Sequence, residues 1–216
     1  MMALEKYLTH KSHVIWDWNG TLLNDLWLCH EIVHQMMTDY GMPPITEEEH
    51  RKLFRMPVRH FYHSLGFDLA KVPFETLAHD FLQKYRHEVH RCKLFEGTKE
   101  LLTTLRSQGI TQSVLSAARQ QELDELIARF HIRSFFEYVF GLGDAFATSK
   151  LERGKELMQA WAVKAEKVIL VGDMDHDVEV AGALGIDVVL LGDGHQHYEN
   201  LKLIHPSVIP CRYTCR

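Results

Sequence analysis

The sequence predicts an α/β fold, a central parallel β-sheet flanked by helices, and three observations carry that prediction. Five short apolar runs recur along the chain, each followed by an Asp, Ser or Gly. The runs are continuous rather than alternating, as in strands covered on both faces. Between them lie stretches with apolar residues at helical spacing, so strand and helix alternate as a parallel sheet requires.

The first run, 12–16 (SHVIW), ends at Asp17, and the second, 111–115 (TQSVL), ends at Ser116. A strand–helix–strand unit takes about 30 residues or slightly more, so this interval holds an insertion. Its content is helical. Leu26, Cys29, Val33, Met36, Met37 and Tyr40 make one stripe, and Phe74, Leu77, Phe81, Tyr85 and Val89 make another. Thr46 and Glu49 have capping-box spacing and open a helix running through Phe54. Pro43, Pro44, Pro57 and Pro73 divide the segment into separate helices. The expected organisation is therefore a core of residues 1–21 and 93–216 with a small helical cap of residues 22–92. The cap lies beside the carboxyl ends of the strands, where open α/β sheets bind ligands.

Beyond the insertion, Leu101, Leu102 and Leu105 predict a helix over 97–108, stopped by Gly109. Leu123, Leu126, Ile127 and Phe130 predict one over 119–130, which makes Ser116 a candidate helix N-cap. The run 138–140 (YVF) is the third strand. A helix over 151–162 carries Leu157, Met158 and Trp161, and the fourth strand, 168–171 (VILV), ends in Gly172 and Asp173. Residues 177–184 form a helix capped by Gly185, and the fifth strand, 187–191, ends in Gly192, Asp193 and Gly194. Residues 206–210 fit a last strand, and 211–216, with Cys211 and Cys215, read as a loose tail.

The 216 residues carry 24 Lys+Arg against 29 Asp+Glu, a net charge of −5. A nucleic-acid clamp would show a basic excess, so none is expected. No apolar run approaches the roughly 20 residues of a membrane helix. The N-terminus lacks the apolar stretch of a signal peptide. Four scattered cysteines suit a reducing cytoplasm better than a disulfide framework. The expected partner is a small molecule, with no nucleic acid and no membrane, bound by a monomer or homodimer.

Chemistry collects at the strand ends. The first delivers Asp17, Asn19, Gly20 and Thr21, the second Ser116, and the fourth Asp173 and Asp177, while Lys150 precedes the helix before the fourth strand. Carboxylates with few His or Cys suit Mg²⁺. A hard cation, a lysine and a hydroxyl together suit phosphate oxygens, and a carboxylate beside them can act as a nucleophile.

In this order the motifs resemble the haloacid dehalogenase superfamily of phosphohydrolases, in its phosphoglycolate-phosphatase-like branch with a helical cap. The resemblance spans roughly residues 12–195 and rests on the run DWNGT from Asp17, on Ser116, on Lys150, and on Gly172-Asp173 through Asp177. It implies a Rossmann-like parallel sheet core and a Mg²⁺-dependent phosphatase acting on a small phosphorylated metabolite through an aspartyl-phosphate. By position it makes Asp17 the nucleophile and a Mg²⁺ ligand. Asn19 would offer its backbone carbonyl to the metal, and Asp173 and Asp177 would complete the ligands. Ser116, Lys150 and Gly20 would bind phosphate, and Thr21 would shape the loop.

Two departures stand out. Leu151 replaces the family's proline after the lysine, and Asn19 replaces its second aspartate, the general acid/base. An amide has no titratable proton, and general acid/base catalysis typically contributes about 10²–10⁴ in rate. The alternatives are therefore a binding or regulatory protein with weakened catalysis, or a phosphonate hydrolase using Lys52 or Lys71. His30, His60 and His63 are candidates for the missing acid. Arg55, in a turn where the resembling family usually has glycine, is a candidate to bind an anionic substrate group, and Trp18 is expected to line the site.

Overall fold

The computed structural model describes residues 4–143, 149–161 and 163–211, so Cys215 of the expected tail lies outside the described residues. After a short helix, α1 (Glu5–Leu8), the chain enters β1 (His13–Trp16), buried at all its positions. The other sheet strands are β4 (Thr111–Arg119), β5 (Tyr138–Leu142), β6 (Val168–Gly172), β7 (Asp187–Leu191) and β8 (Val208–Ile209). They form one sheet ordered β5-β4-β1-β6-β7-β8, with every pairing parallel. All five apolar runs and the short 206–210 segment are strands of this sheet. Helices α6 (Thr98–Ser107), α7 (Gln120–Arg129), α8 (Lys150–Ala160), α9 (Asp175–Leu184) and α10 (Tyr198–Ile204) connect them.

The order places β1 between β4 and β6, and the chain winds outward from it in both directions. The crevice at such a switch point is the ligand site of doubly wound sheets. Register carries this further: Trp16 pairs with Val114 on one side and Val171 on the other. Asp17 lies one residue past these pairs and Ser116 and Asp173 two, so the three neighbouring strands deliver their polar groups at the same edge of the sheet.

Two local expectations are corrected. β4 continues past Ser116 to Arg119, with a shift in its pairing to β5 between Leu115 and Arg119. Ser116 is thus a strand residue at an irregularity, its Oγ accepting from Ala118 N at 3.0 Å, and α7 starts only at Gln120. The β-branched and apolar content of 111–115 and the partner strand carry the ladder further than the helical spacing of 123–130 suggested. α10 had no apolar stripe to announce it; it buries only Leu201.

Between β1 and β4 lie α2 (Leu26–Asp39), α3 (Glu47–Leu53), α4 (Val58–Ser64) and α5 (Phe74–Glu88). The capping box at α3 is formed, with Glu49 N donating to Thr46 Oγ1 and Thr46 N to Glu49 Oε2. The helices pack through Met36, Met37, Phe61, Tyr62 and Leu77, all essentially inaccessible to solvent. A feature absent from the sequence reading closes the segment: β2 (Leu23–Asn24) pairs antiparallel with β3 (Lys93–Leu94). The chain enters and leaves the helical insertion through the same two-rung ladder.

Candidate active site

Four charged side chains are buried where β1, β6 and α8 converge. Asp17 leaves β1, Asp173 leaves β6, Asp177 lies in the first turn of α9, and Lys150 opens α8. Carboxylate oxygens of Asp17, Asp173 and Asp177 lie within 4.8 Å of one another. Lys150 Nζ donates to Asp17 Oδ1, and to Asp177 Oδ1 at 2.7 Å. Ser149 caps α8 by accepting from Glu152 N at 3.3 Å, which fixes the start of the helix and hence Lys150 without a following proline. Lys155, further along α8, is exposed.

Two of the three carboxylates are oriented by further donors. Asp177 Oδ2 accepts from the backbone N of Asp173 and of Met174, both at 3.1 Å. Asp173 accepts from Thr21 Oγ1 at 3.1 Å and from His195 N at 2.6 Å. Gly20 is required between them: its φ is +69°, and a Cβ there would stand 2.2 Å from Asp173 Oδ2.

The electrostatics follow from three carboxylates sharing one ammonium in a dry place. Burial is the largest influence on Asp17 and raises its pKa; Lys150 opposes it, Asp177 and Asp173 add to it, and the group sits at about 7. Burial works against the Lys150 charge, but Asp17 and Asp177 outweigh it and push its pKa up. The donor set is all hard oxygen around uncompensated negative charge, which fits a divalent cation such as Mg²⁺.

A second buried cluster stands beside the first. Asp25, at the start of α2, caps nothing. Its Oδ1 instead accepts from Gly20 N at 2.9 Å and from His195 Nε2 at 3.0 Å. Its Oδ2 accepts from Asn19 Nδ2 and from Tyr85 Oη, each at 2.7 Å. Asn19 Nδ2 also donates to Tyr85 Oη at 2.7 Å, so both amide hydrogens are committed. Burial alone would raise the Asp25 pKa, yet His195, Tyr85 and Asn19 hold it below the usual carboxylate value. Burial opposes the His195 charge, but Asp25 first, then Asp173 and Asp17, raise it to about 9. Cys29 Sγ, Asp25 and His195 also offer ligand atoms within 4.8 Å. There the carboxylate is already satisfied by hydrogen bonds.

The structure brings Asp17, Gly20, Thr21, Lys150, Asp173 and Asp177 together around one point, and register sets Ser116 on the adjoining strand end. Trp18 does not line this site. It is fully buried against Phe130, ring centroids 6.3 Å apart, because its carbonyl accepts from the N–H groups of Thr21, Leu22 and Leu23 in a tight turn that sends the ring inward. Arg55 is exposed in the turn between α3 and α4. His60 and His63 are exposed, and His30 is bonded to Ile45 O at 2.9 Å. Lys52 and Lys71 are exposed and paired with Glu48 and Asp68. Among the described residues, the histidine at the site is His195, which the sequence reading missed along with Asp25 and Tyr85. One signal was available for His195: it directly follows the Gly192-Asp193-Gly194 turn after a sheet strand, at the same edge of the sheet as the other site residues.

Residues 14–191 match the haloacid dehalogenase-like hydrolase family. The chain is 27% identical over 203 residues to a phosphoglycolate phosphatase of Synechococcus elongatus, covering 90% of each protein. It is 31% identical over 117 residues to the tyrosine-protein kinase PtkA of Mycobacterium tuberculosis, covering 54% of this chain and 40% of that one. A solved haloacid dehalogenase-like hydrolase from Streptococcus pneumoniae superposes with a TM-score of 0.78 over 93% of this chain and 94% of its own, at 19% identity, a likeness of fold. No helix among the described residues is long and apolar enough to cross a membrane.

Proposed function

The chain belongs to the haloacid dehalogenase-like hydrolase family, and on that premise we propose that it is a Mg²⁺-dependent phosphatase acting on a small phosphorylated metabolite. The observation that carries the reading is the buried cluster of Asp17, Asp173 and Asp177 held around Lys150. The similarity to phosphoglycolate phosphatases over 90% of the chain supports the substrate class.

In this reading Asp17 attacks phosphorus. The bond from Asp17 Oδ to phosphorus forms as the bond to the leaving oxygen breaks, and water later cleaves the acyl phosphate to release inorganic phosphate. Lys150 and Ser116 bind the phosphoryl oxygens, with the ammonium neutralising charge that develops on them. Asp17, Asp173, Asp177 and the Asn19 backbone carbonyl would hold Mg²⁺, which when bound supplies further charge neutralisation. The helical insertion, residues 22–92, acts as the cap that selects the remote part of the substrate, with Arg55 a contact for an anionic group.

The test is a panel of phosphorylated metabolites and p-nitrophenyl phosphate, assayed with Mg²⁺ and with EDTA. Metal-dependent release of inorganic phosphate supports the reading, and no turnover of any ester overturns it. Arg55→Ala should raise KM for the preferred metabolite and leave p-nitrophenyl phosphate nearly unchanged. Equal losses on both remove Arg55 from the substrate contact.

A second reading, a scaffold with weakened catalysis that binds more than it turns over, is favoured by one observation. Asn19 spends both amide hydrogens on Asp25 and Tyr85 and has no proton to give a leaving group. Tight binding of a metabolite with kcat unaffected by Asp17→Asn would favour it.

A further inference from the structure

The loop between β7 and α10 touches both the insertion and the acidic residues, and no sequence motif drew attention to it. On one side it grips the end of α3. Arg51 Nε donates to Gly194 O at 3.0 Å, and Arg51 Nη2 donates to Gly192 O. In return His197 N donates to Arg51 O at 3.0 Å. Gln196 Nε2 donates to Phe54 O at 3.0 Å, and Asn200 Nδ2 to Lys52 O at 2.9 Å.

On its other side the same loop holds the segment after β6. His195 N donates to Asp173 Oδ2 at 2.6 Å, and Gln196 Oε1 accepts from Asp175 N at 2.8 Å. The fit is close, since a Cβ on Gly194 would stand 2.3 Å from Asp173 Oδ2. Gln196 is 3% exposed, and its one amide bridges the insertion and the acidic segment. A second path runs beside it: the Phe54 ring packs on His195 at 5.5 Å between centroids, and His195 N holds Asp173.

We propose that this loop is a clasp through which seating of the helical insertion orients Asp173, making Arg51 and Gln196 positioning residues for the metal-binding carboxylates. The proposal rests on the metal reading given above. Residues that orient a metal ligand commonly change metal affinity by about 10–100-fold when removed. Coupling of this kind is reciprocal: if a seated insertion favours the cation, the cation must favour the seated insertion by the same factor.

Two measurements on the full chain test it without reference to turnover. Calorimetric titration with Mg²⁺ should give a Kd weakened about tenfold in Arg51→Ala and in Gln196→Ala. Arg51→Lys, which keeps one donor, should fall between them and wild type. Glu47→Gln, exposed on the same helix, should match wild type. Hydrogen exchange of residues 47–58 should slow on adding Mg²⁺ to wild type and not on adding it to Gln196→Ala.

A Kd within twofold of wild type in both Arg51→Ala and Gln196→Ala overturns the clasp, as does exchange in 47–58 that ignores Mg²⁺. General loosening is separated by Val58→Ala, which weakens packing of α4 outside the clasp. If its Mg²⁺ affinity falls in step with Tm along the same line as the clasp variants, the role is structural and the proposal fails. Absence of any Mg²⁺ binding by wild type overturns the metal reading itself, an outcome distinct from binding that the clasp variants leave intact.

Discussion

The acidic cluster and the Asp25 cluster meet at Gly20 but balance their charge differently. Asp17, Asp173 and Asp177 share one ammonium, Lys150. Asp25 faces one imidazole raised to about 9, and the neutral donors Gly20 N, Asn19 Nδ2, Tyr85 Oη and Cys29 Sγ complete its shell. A buried negative excess is costly unless a cation or a proton relieves it, and the raised pKa of Asp17 is that relief in the metal-free protein. The second cluster is already neutral and has little left to bind. The difference teaches that two equally buried, equally polar neighbourhoods can be told apart by charge balance: one keeps an excess of negative charge, and the other is balanced and holds the loop of Asn19 and Gly20 in place.

The most severe way to break the comparison is Asp17→Asn. If the first cluster is reactive, kcat should fall by about 10⁴-fold or more with the fold intact by circular dichroism. The matching change in the second cluster, Asp25→Asn, should cost chiefly stability. Comparable kcat losses would erase the distinction.

Asn19 sharpens it. A new carboxylate in Asn19→Asp would face Asp25 across a contact now 2.7 Å long and could not donate to it. The single variant should lose about 1–3 kcal/mol in denaturant unfolding. Exchanging the pair, Asn19→Asp with Asp25→Asn, restores one carboxylate and one amide and should recover most of that loss. If an acid is what the site lacks, the exchanged variant should also gain up to about 10²–10⁴ in kcat/KM on alkyl phosphates, and less on aryl phosphates, whose leaving groups need little protonation. A wild-type dependence on leaving group as shallow as the exchanged variant's would mean that Asn19 is no deficit.

The imidazole gives a pH test of the second cluster. Its folded pKa of about 9 exceeds the ordinary 6.5, so its stabilisation is complete below pH 6.5 and is lost as pH rises through about 9. Wild type should exceed His195→Gln by about 3 kcal/mol at pH 6 in guanidinium unfolding, with the gap mostly closed at pH 9.5. A gap independent of pH would make His195 a packing residue only.

The smallest effect concerns the first cluster and its cation. With Asp17 near 7, a proton must leave before the carboxylate can serve a metal. The rise in Tm on adding millimolar Mg²⁺ should therefore be slight at pH 5.5 and reach a few degrees at pH 8. A rise that is flat with pH would detach Asp17 from the metal.

Much of the first cluster was legible in the sequence because each member sits at a strand end or helix start whose local pattern is strong. Val168 to Val171 announces Asp173 and, one helical turn on, Asp177. The second cluster was not legible because its members share no local pattern. Asp25 is a lone acidic residue at the edge of an apolar stripe, Tyr85 one more aromatic on another, and His195 one of fifteen histidines. Only folding brings α5 and the loop after β7 against the start of α2. Trp18 failed for a related reason: its direction is set by the turn that three backbone amides make onto its carbonyl, which side-chain pattern does not encode.

The ladder of β2 with β3 has a mechanical consequence. Its rungs, Leu23 with Leu94 and Asn24 with Lys93, tie the outgoing and returning strands together at their roots. Sliding one strand past the other would shift the register and turn the buried Leu23 toward water, so translation is blocked. Rotation about the ladder would keep its rungs but break the bonds that Arg51, Phe54 and Lys52 make to residues 192–200. The ladder therefore fixes the register of the two crossings, and the bonds of Arg51, Phe54 and Asp25 to the loop after β7 fix how the insertion is turned about it.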